Sequence, residues 1–167
     1  MKRLLVIVLG GLIISASPVA TQVVAQSTET DPAANVARAE AFRAVIDAQI
    51  AAFARDDGAA AFAFAAPSIQ RLFATPDRFM DMVRASFQPV YRPSTVTYDA
   101  PIRVPTQNGN GKSGENGGAT TSAFAQPVRV TGPDGKPVLA MYHMEQPPDG
   151  SWRIAGVVLR ALAEREG

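Results

Sequence analysis

The hydrophobic pattern of this 167-residue chain changes period near Pro93, and that change fixes the fold class more tightly than any motif does. Before it, Phe42, Val45, Ile46, Ile50 and Phe53 recur at three- and four-residue intervals, with Arg38, Arg43, Asp47 and Arg55 between them. This spacing predicts an amphipathic helix of about five turns. The run Arg55-Asp56-Asp57-Gly58 ends it, with Gly58 expected in the left-handed cap. A second short helix is expected over 59–65, stopped by Pro67. Thr75-Pro76-Asp77 then reads as a helix start: a hydroxyl cap, a proline where no amide partner is needed, and a carboxylate against the helix dipole. That third helix should run to about Phe87 and present Phe79, Met80, Val83 and Phe87 on one side.

After Pro93 apolar and polar residues alternate, which predicts strands over 95–104, 124–131, 138–145 and 152–162. Gly132-Pro133-Asp134-Gly135 and Pro147-Pro148-Asp149-Gly150 are turn signals between the last three. Turns this short force antiparallel neighbours. Helices first and an antiparallel sheet after them predict an α+β domain, with the N-terminal helices packed on one face of a curved antiparallel sheet. Thr106 to Ser122 is too rich in glycine and asparagine to bury apolar surface, so a disordered insert is expected over 106–122.

The chain opens MKRLLVIVLGGLIISASPVATQVVAQ, a basic start, an apolar run and a small, polar tail. It has the form of a secretory signal peptide over 1–25, cut after Ala25, followed by a flexible lead-in over 26–34. An uncleaved anchor needs about 20 apolar residues, and Ser15, Ser17 and Pro18 interrupt the run too early. The expected location is therefore the bacterial periplasm, with no membrane association after cleavage. Cleavage turns the chain's 16 basic and 15 acidic residues into 14 and 15, a net charge of −1. Such a chain lacks the basic footprint of a nucleic-acid binder. With no cysteine there is no disulfide framework, thiolate nucleophile or cysteine metal site, and the fold must rest on its core.

No cluster of residues specifies a reaction, so no catalytic residue, metal ligand or cofactor is assigned. Gly111-Lys112-Ser113 resembles the end of a phosphate-binding loop, but Thr106 stands where that loop needs a glycine. His143, the only histidine, alternates with Tyr142 across a strand and has no partner set for zinc. Gln49 falls within the Phe42, Ile46, Phe53 stripe, which draws its amide inside. There it either bonds loop backbone near Ala66 or Pro67 or points a polar group into a cavity, since an unpaired buried amide costs about 1–3 kcal/mol. Tyr91, Tyr98, Tyr142 and Trp152 suit a core edge or a cavity lined for a flat ligand.

Several stretches together resemble a known family: Gln49 with Ala52-Phe53, Asp56-Asp57-Gly58, Ala61-Phe62-Ala63-Phe64-Ala65, Thr75-Pro76, Tyr91-Arg92-Pro93, and Asp149-Gly150-Ser151-Trp152-Arg153-Ile154-Ala155-Gly156. This is the bacterial family of domain of unknown function 4864, similar to a branch of the nuclear transport factor 2-like superfamily. The resemblance runs from about Val36 to Leu159 and implies a cone-shaped, cystatin-like sheet around an apolar cavity; it implies no activity.

The first expectation is thus an exported, non-enzymatic domain binding a small apolar ligand or a protein partner in the cell envelope. The candidate pocket residues are Gln49, Phe62, Phe79, Val83, Tyr91, Tyr142 and Trp152. One alternative is an isomerase- or dehydratase-like acid-base enzyme in which Asp99 acts with Tyr91 or Tyr142. Another is an interaction module that homodimerises through an open, apolar sheet face.

Overall fold

The computed structural model describes residues 32–104 and 124–162. The expected signal peptide, the Gly111-Lys112-Ser113 motif and the insert over 106–122 lie outside them. Among the described residues five helices precede a five-stranded antiparallel sheet, so the fold is α+β.

Helix α1 (Pro32–Ala54) starts within the expected lead-in, since proline is accommodated in a first helical turn. It buries Phe42, Ile46, Gln49 and Phe53, the stripe its spacing predicted. The corner after it differs from expectation. Asp56, not Gly58, takes the left-handed conformation (φ 57°), which aspartate tolerates better than most residues. Asp57 forms an inverse γ-turn, with the Gly58 amide donating to the Asp56 carbonyl at 3.0 Å, and its carboxylate caps α2 (Gly58–Ala63) by accepting from the Ala60 amide. Glycine is needed at 58 for space: a Cβ there would sit 2.8 Å from Met80 Cγ of a neighbouring helix.

Pro67 was expected to stop a helix, and it also starts one. Ala66 is extended, as the residue before a proline must be, and Pro67 opens α3 (Pro67–Phe73). Ala74 (φ 62°, ψ −34°) then makes a γ-turn, the Thr75 amide donating to the Phe73 carbonyl at 2.7 Å. Thr75 caps α4 (Pro76–Ser86) as its sequence predicted, and a short α5 (Gln88–Tyr91) follows.

In the sheet, β3 (Phe124–Thr131), β4 (Pro137–Glu145) and β5 (Arg153–Ala161) form a meander through two turns, in which Gly135 and Gly150 both adopt φ 76°. The strand expected over 95–104 is split into β1 (Thr95–Tyr98) and β2 (Ile102–Arg103), both paired with β3. The break falls at Asp99, Ala100 and Pro101, where proline has no amide to donate. There Gln126 Nε2 takes up the Asp99 carbonyl at 2.6 Å. Alternation sends Gln126, Val128 and Val130 of β3 and Ala140, Tyr142 and Met144 of β4 inward, where all six are buried.

The core has two aromatic centres. Phe42 packs edge-on against Trp152 (4.7 Å between centroids) and tilts on Phe124 (5.9 Å). At the other, Phe79 touches Phe62 (5.3 Å), Phe73 (5.7 Å) and Phe53 (6.2 Å). Within the phenylalanine-rich stretch from Phe62 to Val83, Phe79, Met80 and Val83 are buried core, and its prolines start successive short helices that bring Phe62 and Phe73 against Phe79.

Candidate functional site

Helices α3 and α4 diverge enough to leave a cleft of about 280 Å³ floored by β5. Its walls follow from helical spacing: Ile69, Leu72 and Phe73 from α3 face Phe79, Met82 and Val83 from α4. Phe87 and Val90 extend one wall, and Gln49 and Phe53 of α1 close the inner end. Ile154, Gly156 and Val157 form the floor, where a bulge shifts the β4–β5 register between Met144 and His143. The Ile154 amide donates to the Phe64 carbonyl (2.9 Å) and the Ala66 amide to the Ile154 carbonyl (2.8 Å), which sets the start of α3 against β5. No residue of α3 is buried, and Leu72 at the rim is 72% exposed.

Gln49 is the only polar side chain in this lining, and it is 3% exposed. Its Nε2 donates to the Ala61 carbonyl (3.1 Å), and among the described residues no donor reaches its Oε1. The bond belongs to a wider arrangement, because the last carbonyls of a helix have no partner within it. At the end of α2, Gln49 serves Ala61, Gln70 Nε2 serves Phe62 (3.1 Å) and Arg153 Nη1 serves Ala63 (2.7 Å). The acceptor thus lies five residues before the Ala66 expected from sequence.

Of the residues proposed from sequence, Gln49, Phe79 and Val83 line this cleft together. Phe62 stands behind it, against Phe79. Trp152 belongs to the other aromatic centre. Tyr91 is drawn to the α1–α2 corner, where its hydroxyl donates to Asp56, whose carboxylate also pairs with Arg92 (2.7 Å) and Arg84 (3.7 Å). The Tyr91 hydroxyl holds the Asp56 carboxyl below its usual range, with Arg92 and Arg84 adding to it, against an opposing effect of desolvation that is second in size only to the Tyr91 bond. Tyr142 is fully buried on the inner sheet face, and its hydroxyl has no partner among the described residues. Burial pushes its pKa up, and the charge of Asp47 adds to that.

Ile69, Leu72 and Phe73 are among the ten lining residues that were not proposed as pocket from sequence. The signal for these three was the 69, 72, 73 spacing directly after a proline. The acid-base pairing of Asp99 with Tyr91 or Tyr142 is not formed: Asp99 accepts from Arg129 Nε at 3.1 Å, and Tyr91 is bound to Asp56. A second tyrosine–carboxylate pair does exist, Tyr98 donating to Asp47, but neither residue lines the cleft. Burial, then this bond, raises the Tyr98 pKa.

A wider depression of about 580 Å³ lies between the start of α1 and β1–β2. Its arginines face rings, Arg38 and Arg103 over Phe124 (4.3 and 5.0 Å) and Arg43 over Tyr98 (5.0 Å). Among the described residues, no group of three or more histidines, cysteines or carboxylates is placed to hold a metal, and no helix is long and apolar enough to cross a membrane.

No curated protein and no solved structure matches the chain significantly. The family described as Domain of unknown function (DUF4864) matches residues 35–110 and 115–166, which span both the helices and the sheet. With most of its length matched, the chain belongs to the DUF4864 family.

Proposed function

We propose that this protein is an exported, non-enzymatic binding domain of the bacterial periplasm, built as a nuclear transport factor 2-like cone, whose ligand is a small apolar molecule seated in the cleft between α3, α4 and β5. The observation that carries this reading is the lining itself: one amide, no ionisable group, and four phenylalanines, Phe53, Phe73, Phe79 and Phe87. An enzyme moving protons needs an ionisable group beside its substrate, whereas a binder needs shape and one or two hydrogen-bonding atoms. The volume is near the lower bound of small-molecule pockets, roughly 300 Å³. Export is supported by the basic, apolar and small-residue order of the first 25 residues.

Native mass spectrometry of the protein released from its own cell envelope tests both parts. The expected spectrum is a chain beginning at Gln26 carrying a small neutral adduct that dissociates on activation. A chain beginning at Met1, or one with no adduct under conditions that preserve weak complexes, contradicts the reading.

A second reading, homodimerisation through the outer sheet face, has one observation in its favour. Pro127, Met141 and Val158 stand side by side on adjacent strands of that face, and Val158 is 45% exposed. Light scattering across a concentration series would report a dimer that Val158→Lys dissociates; a wild-type monomer at high concentration removes this reading.

A further inference from the structure

Resting on the cleft as the binding site, we infer that its ligand is an uncharged, hydroxyl-bearing aliphatic or aromatic molecule of about ten non-hydrogen atoms, held by donation of its hydroxyl to Gln49 Oε1. Three observations converge. Gln49 is 97% buried by its 3% exposure, yet its amide makes a single bond: Nε2 donates one hydrogen to the Ala61 carbonyl, and Oε1 accepts from no described residue. The commitment fixes polarity, since turning the amide over would bring its oxygen against the Ala61 carbonyl oxygen; Oε1 is thus left to accept, and the second hydrogen of Nε2 has no described acceptor either. A ligand that only accepts, such as an ether or a ketone, leaves that acceptor unpaired.

The remaining lining is apolar, with no lysine, arginine or histidine among it. A carboxylate or phosphate placed there would lose its hydration without gaining a counter-charge. Anionic fatty acids are therefore rejected on the ground of charge. The size follows from the cleft of about 280 Å³, at roughly 30 Å³ for each water-sized group.

The test compares three probes on the wild-type protein by displacement of a fluorescent apolar dye: 1-octanol, its isomer 1-methoxyheptane, and octanoate at neutral pH. The two isomers have the same atoms and differ in whether they carry a donor. The alcohol should bind roughly two- to tenfold more tightly than the ether, the factor one neutral hydrogen bond supplies, and octanoate should bind most weakly. In Gln49→Leu the preference for alcohol over ether should disappear while the ether still binds; because that variant also loses the bond to Ala61, its fold is checked by its melting curve. Equal binding of alcohol and ether by the wild type, or tightest binding by octanoate, overturns this inference and leaves the cleft as an apolar binding site. Failure of all three to displace the dye overturns the binding reading as well.

Discussion

Tyr142 is the residue whose chemistry is least matched to its surroundings. Its ring fills the core as a strand residue of the inner face should, yet its hydroxyl is sealed from solvent without a partner among the described residues. Removing that oxygen removes a desolvated group and breaks no bond. Tyr142→Phe should therefore leave the urea midpoint unchanged or raise stability by about 1 kcal/mol; a loss of that size would mean that a bound molecule satisfies the hydroxyl. Asp56 is the opposite case, an exposed carboxylate with many partners. Its folded pKa lies below the ordinary 3.8, so its contribution is present above about pH 4 and is lost as the pH falls through the lower folded value. Asp56→Asn keeps the residue's tolerance of a left-handed backbone and removes the charge. Its acid unfolding curve should be flatter than the wild-type curve below pH 4, and parallel curves would show that the pairs with Tyr91 and Arg92 add nothing. Gln49 was legible from sequence because an amide within an apolar stripe must find a partner. Asp56 was not, because Tyr91 and Arg92 come to it from 35 and 36 residues away.

Among the elements, α3 decides whether there is a cleft at all. It buries none of its residues, is held by the Gln70 amide and by the Ala66–Ile154 bond at its start, and ends in a strained turn at Ala74. A non-glycine residue at φ 62° carries a cost of about 1–2 kcal/mol that glycine avoids. Ala74→Gly should thus stabilise the protein by about 1 kcal/mol despite glycine's greater freedom when unfolded, measured by chemical denaturation. A destabilised variant would show that the turn is relaxed in solution. The strands of the meander were readable because alternation and two Asp-Gly turns act within a few residues of one another. The break between β1 and β2 was not, since it depends on Gln126 reaching the Asp99 carbonyl across the strand pair. Helix α3 was hidden by a choice between two roles of one residue: Pro67 ends the run before it and starts the run after it, and only the first role was assigned. The apolar spacing at 69, 72 and 73 carried the information, but it spans a single turn.

At the scale of the whole molecule, the helix-then-sheet order followed from the period change at Pro93, and the location of the cleft did not. Aromatic residues proposed as one pocket divide between two centres, Phe62 and Phe79 at one and Trp152 at the other. Composition could not separate them, since both groups are equally apolar and the separation comes from which end of α1 each one meets: Phe42 or Phe53. The central claim is that binding occurs at the Phe79 end. It is tested most directly by titrating 1-octanol into protein labelled at its methyl groups and following the carbon–proton NMR spectrum. The account predicts that Ile69, Leu72, Met82, Val83 and Val157 shift together and saturate on one curve while Val36 and Val130 stay in place. Saturable shifts confined to Val36, beside the arginine-lined depression, or to Met141 and Val158 on the outer sheet face, would contradict it.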